Sequence, residues 1–242
     1  MKTTYYKRYI NNEELAVWDE LKELNNITPE HPDWGDITDV LKETMWRVKF
    51  NINTIYERLK VTGYEFNEKH PCKLPCNETN NKIKKLSNAV KPFGYIPLSL
   101  EFFYFTVGSV DFTPLWDKKI LHEYSDPLCI ASVDEAIELM GEDGEWEENM
   151  EDFTSEGHKP YIDIAPDFYH KDNVSGGSPY GIEVTNTKQV DSMFLNTPYN
   201  ENLFFIDYLR LCFEWGGFPN ISEYNDNYQS FIDNLKTGLK TI

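Results

Sequence analysis

Basic residues are scarce in this chain: 23 Lys and Arg stand against 41 Asp and Glu, a net charge of −18 over 242 residues. Counterion-release binding to phosphates needs clustered cations, so DNA, RNA and an anionic leaflet are set aside as direct ligands; a basic protein partner is permitted. Cysteines are few too, at 72, 76, 129 and 212. That excludes a secreted disulfide scaffold, and the last two sit in apolar segments where a thiol acts as a small hydrophobe. No stretch approaches the ~18 apolar residues of a membrane span, and MKTTYYKRYINNEEL at the start has no apolar leader region. A soluble, cytoplasmic protein is expected. Internal repeats and low-complexity linkers are also missing.

Aromatic residues are plentiful, with six Trp, fifteen Tyr and fifteen Phe. A chain of this size buries about 70 to 75% of its surface, enough for a core without metal or disulfide, and one elaborated domain over 1–242 is the leading count. The charge is unevenly spread. The window from Asp134 to Glu156 holds eleven acids and no Lys or Arg, while Asn67 to Lys91 carries six lysines against Glu68 and Glu78, a local +4.

Leu15, Trp18, Leu21 and Leu24 predict a short first helix ending at Asn25-Asn26. Asp36 then offers an N-cap, with Asp39 in the first turn. Ile37, Val40, Leu41, Met45, Val48, Ile52, Ile55, Tyr56 and Leu59 keep a 3.6-residue period over six turns, until Gly63. Further helices are predicted at Asn81 to Val90 and Leu98 to Val107. Ser132 and Glu135 form a capping box for a helix with Val133, Ala136, Ile137 and Met140 on its apolar face. Residues 141–157 read as an acidic loop or irregular helix pinned by Trp146, Met150 and Phe153. Asn202 opens the last strong helix, and Tyr228 to Leu239 adds one more. Ser109 to Trp116, Leu128 to Ala131, Tyr161 to Ala165 and Tyr180 to Val184 read as strands.

The stretch KPFGYIPLSLEFFYFTVGSVDF (Lys91 to Phe112) has a Gly-x-x-Pro entry, an aromatic helix and a closing Gly108. With IDIAPDFYHKDNVSGGSPYGIEV (Ile162 to Val184) and FFIDYLRLCFEWGGF (Phe204 to Phe218), it resembles the SUKH superfamily of Smi/Knr-like proteins over about residues 85–219. The resemblance implies an α+β fold: a mixed or mainly antiparallel sheet with helices packed on it, here with a helical N-terminal extension over 1–80. The Leu98 to Val107 and Asn202 to Trp215 helices are expected on one face of a single sheet containing the 109, 161 and 180 strands. It also implies a non-enzymatic, immunity-type protein that neutralises a toxin by occluding its active surface, and it matches Asp167 to a recurring acidic residue that orders a turn or touches a partner.

Candidate partner-binding residues are therefore Asp134, Glu142, Asp143, Glu145, Trp146, Glu147, Glu148 and Asp167. An exposed Trp146 amid acids would be an interface anchor, whereas a buried one would staple the loop. Trp18, Trp46 and Trp215 are assigned to the core. The rival reading is a hydrolase or small-ligand sensor built on Asp163, Asp167 and His170 beside the SGGSPY loop; strand alternation turns Asp163 outward if Ile162 and Ile164 face the core. His70, Cys72 and Cys76 have zinc-type spacing but lack a fourth ligand, so no metal or other cofactor is expected.

Overall fold

The computed structural model describes residues 4–118, 124–141, 145–221 and 228–242. Its longest element is a helix over Trp34–Val61 (α3), preceded by α1 (Tyr5–Tyr9) and α2 (Glu14–Leu21). The expected periodicity holds: Ile37, Val40, Leu41, Met45, Val48, Ile52, Ile55 and Leu59 are all buried. Asp36 does not cap α3. Its two oxygens accept from the backbone N–H groups of Tyr5 (2.6 Å) and Tyr6 (3.1 Å), so it satisfies the open donors of α1 instead. In α2, Val17, Trp18 and Leu21 face inward, but Leu15 is 60% exposed, one position off the buried stripe.

The chain's end locks onto α3. Asn51 exchanges two hydrogen bonds with the Lys240 backbone (2.8 and 2.7 Å), Arg47 donates to Thr241 O, and the helix Gln229–Lys236 (α10) packs alongside. One hydrophobic cluster runs from Tyr9 to Ile242, so residues 4–80 share a single core with the rest of the described chain.

The middle of the chain supplies α4 (Thr79–Val90), α5 (Leu98–Thr106), α6 (Val133–Leu139), α7 (Glu145–Ser155) and α8 (Phe168–Lys171), with α9 (Phe205–Glu214) after them. The α6 capping box forms as read. Gly108 ends the α5 region at φ 94°, and a Cβ there would lie 2.0 Å from Lys73 O, so only glycine fits. α9 opens at Phe205, not Asn202. Its cap comes from Asp191, whose carboxylate accepts from Ile206 N (3.1 Å), Ser192 N (3.0 Å) and the Ser99 hydroxyl (2.7 Å), tying α9 to α5.

The fold is α+β with antiparallel pairing throughout its ladders. The single expected sheet is instead two ladders. β1 (Val110–Asp111) pairs with β2 (Cys129–Ile130), and β3 (Tyr161–Ala165) pairs with β4 (Tyr180–Glu183), which pairs with β5 (Phe194–Leu195). One hydrogen bond, Ala131 N to Ile164 O at 2.7 Å, joins them. β1 and β2 have two residues each, too short to extend pairing beyond that point. α9 covers the β4–β5 side, with Tyr208 stacked on Phe194 at 4.2 Å and near Tyr180, and Phe205 against Phe103 of α5.

Candidate protein-binding surface and the acids beneath it

The acidic window becomes α6, a short gap and α7. Trp146, Met150 and Phe153 lie at i, i+4 and i+7 and turn inward, while Glu147, Glu148, Glu151 and Asp152 occupy the exposed face. Glu145 and Asp134 are exposed as well; Glu142 and Asp143 fall outside the described residues. The basic stretch of the chain meets the start of the window: Lys82 pairs with Asp134 at 2.6 Å and Lys73 with Glu135 at 2.5 Å. The four outer acids of α7 have no ion-pair partner among the described residues, so the negative field is concentrated there.

Trp146 is a staple. Its side chain leaves the residue 8% exposed, its indole N–H donates to Tyr161 O (3.0 Å), and its ring meets Phe93 edge-on at 5.3 Å. The interface-anchor condition is therefore not met. Of the three helix tryptophans expected in the core, Trp46 is instead 51% exposed on the outer side of α3, where it stacks near Phe50 and the Lys240 ammonium sits over both rings.

Beneath α7 lies a cavity of about 340 Å³ lined by Leu139, Glu145, Trp146, Phe153, Tyr161 and Asp163, among others. Ile162 and Ile164 are fully buried, as strand alternation requires, and Asp163 is on the opposite face of β3. That face is partly covered: Tyr161 and Asp163 both keep intermediate exposure. Asp163 Oδ1 is buried with no hydrogen-bond partner, and desolvation pushes the carboxyl up to about 6. The Tyr161 ring fits beside it because residue 181, opposite Asp163 on β4, is glycine: a Cβ there would strike Tyr161 Cδ2 at 2.4 Å.

Asp167 and His170 lie elsewhere, at α8. Asp167 is buried and caps α8, accepting from Tyr169 N (2.8 Å) and His170 N (3.2 Å), with its second oxygen against His170 Nδ1. This is turn-ordering geometry, and it leaves Asp167 no surface for a partner. Neither residue lines the cavity that Asp163 faces, so the three expected hydrolytic groups are not brought together.

Sequence reasoning missed the adjacent charge centre. Asp126, fully buried, receives the Lys171 ammonium (2.5 Å) on one oxygen and the hydroxyls of Tyr180 (3.0 Å) and Tyr199 (2.5 Å) on the other. Burial, followed by the Asp126 charge, holds both phenols far above their ordinary range. Tyr124 and Asp126 adopt positive φ (62° and 52°), a backbone turn that aims the carboxylate inward. A buried Asp spaced 45, 54 and 73 positions from its partners leaves no local pattern to read.

His70, Cys72 and Cys76 do not converge. Burial pushes the Cys72 thiol up to about 12, while exposed Cys76 is held below its ordinary value by hydrogen bonds from Glu78 and Thr79. Among the described residues no group of three His, Cys, Asp or Glu side chains is arranged to hold a metal ion, and no helix is long and apolar enough to cross a membrane. Comparison of the chain with family models, curated proteins and solved structures finds no match, which leaves the SUKH resemblance resting on the sequence motifs alone.

Proposed function

We propose that this chain is a non-enzymatic protein-binding molecule whose α7 face meets a basic protein surface. The supporting observation is the division of α7: Trp146 and Met150 are buried and Phe153 packs half-buried against the core, while Glu147, Glu148, Glu151 and Asp152 stand outward without cations of their own among the described residues. Such a face raises the encounter rate with a positively charged partner. The finer reading, an immunity-type protein that occludes a toxin's active surface, rests on the motif resemblance.

The test begins with a pull-down against the proteins encoded beside the gene, and surface-resonance kinetics come second. Glu147→Gln, Glu148→Gln, Glu151→Gln and Asp152→Asn together should slow association by ~10-fold at low salt and leave Tm nearly unchanged, because rim charges act on the on-rate. Association at the parental rate, with its salt dependence intact, would mean that α7 is only a solvated face.

A further inference from the structure

The four buried aspartates among the described residues are all partnered. Asp126 holds a lysine and two phenols, Asp167 two backbone amides and a histidine, Asp172 the backbone amide of Tyr124, and Asp191 two backbone amides and a serine hydroxyl. Asp163 is only partly buried, and its one enclosed oxygen, Oδ1, has no partner. A desolvated carboxylate oxygen without a donor is costly, and it does not survive in a packed core without reason. Here the residue lines a cavity. The cavity of about 340 Å³ is at the small end of ligand-sized pockets, and its walls are Trp146, Phe153 and Tyr161 with Glu145 and Asn149 beside them.

Those walls define the complement. Aromatic rings next to carboxylates select an organic cation, through attraction to the ring faces and charge-assisted hydrogen bonds to oxygen. Among organic cations a guanidinium fits best, because it is flat, stacks on rings, and is more weakly hydrated than an ammonium, so it loses least on entering a desolvated site. We propose that the cavity between α7 and β3 binds a guanidinium group, with the Asp163 carboxylate as its acceptor and Trp146, Phe153 and Tyr161 as its aromatic wall. This goes beyond the docking role of the outer α7 face and does not require it. The guanidinium has two possible sources, a free arginine-like molecule or an arginine side chain carried by a protein.

The probe is arginine amide, titrated by calorimetry into the full chain, with citrulline amide as the control that replaces guanidinium by an uncharged urea of the same shape. Arginine amide should bind saturably and citrulline amide at least ~10-fold more weakly, since the urea brings no charge to the carboxylate. Asp163→Asn should weaken arginine amide by ~10-fold or more. Equal affinity for the two probes, equal affinity of Asp163→Asn and parent, or no saturable binding overturns the inference, and the citrulline comparison decides it on the unmodified chain if the variant does not fold. Displacement of bound arginine amide by the captured protein partner assigns the group to that partner's side chain; co-existence assigns it to a free molecule. Failure here with a slowed α7 charge variant removes the cavity reading alone, and success here with an unaltered charge variant removes the docking reading alone.

Discussion

β3 separates two acid-bearing regions built on opposite plans. On the α8 side, Asp126 is fully buried and completely partnered by Lys171, Tyr180 and Tyr199. On the α7 side, Asp163 is partly covered, half satisfied at most, and set against a cavity. Asp126 is removed from water entirely and Asp163 in part. Only the first recovers that cost inside the molecule, so the first is bound up with folding, and the second is left for something outside it. An enclosed unpaired atom is not the distinction, since the hydroxyls of Tyr9, Tyr104 and Tyr208 share that state within the core; what sets Asp163 apart is an incompletely paired carboxylate that lines a cavity.

The largest effect tests the completeness of the α8 side. Lys171→Met keeps length and apolar volume but leaves Asp126 buried without its cation, and removing one member of a buried pair costs about 3–5 kcal/mol. Urea denaturation at pH 7 should show a loss of that order. A loss under about 1 kcal/mol would mean that the two phenols suffice and that the two regions differ less than their geometry says.

The α7 side depends on Trp146, which covers the cavity and holds the helix down. Trp146→Ala should cost about 3 kcal/mol, the low end for deleting a buried large aromatic, with the loss centred on α7. Amide exchange is the measurement: protection should fall across 145–155 first and leave α3 and α9 at the parental level after correction for global stability. Uniform loss throughout the chain would show that α7 belongs to the same cooperative unit as the Asp126 centre.

What the sequence made legible divides by distance in the same way. The α3 stripe and the Ser132–Glu135 capping box depend on neighbours three or four positions away, and each forms as read; the pinning residues Trp146, Met150 and Phe153 do turn inward, but on a regular helix and with Trp146 buried although it is also among the candidate partner-binding residues. Asp167 at a strand-to-turn junction orders that turn, again a local relation. Longer-range choices were invisible. Asp36 is spent on α1, about thirty residues upstream, and Asp191 caps α9 from outside the helix. Trp46 lies off the buried stripe of α3 and is shielded by Lys240, a residue far along the chain. Alternation placed Asp163 on the correct face of β3, but whether that face meets water was decided by α7, whose position no spacing within β3 encodes.

The smallest effect has the opposite sign, and that sharpens the comparison most. The Asp163 carboxyl sits at about 6 in the folded chain against an ordinary 3.8. An acid raised on folding takes up protons more readily in the native state, so below about pH 4 it costs nothing, and stability is lost as pH rises from there through 6. Above pH 6 the penalty is fully present. Asp163→Asn removes it, so the variant should match the parent near pH 4 and exceed it by about 1 kcal/mol at pH 7.5, a figure discounted for the part of the group that meets solvent. Paired urea midpoints at the two pH values measure the difference directly. Asparagine is itself polar and gains no partner, which keeps the expected benefit small, but a neutral amide is cheaper to desolvate than a carboxylate. A variant less stable than the parent at pH 7.5 would show that Asp163 is held by attractions that its unpartnered oxygen does not reveal. The α7 side would then be another satisfied core, and the contrast with Asp126 would collapse. A stabilising substitution at a position that also loses the guanidinium probe is the signature of a residue kept for binding at the expense of the fold.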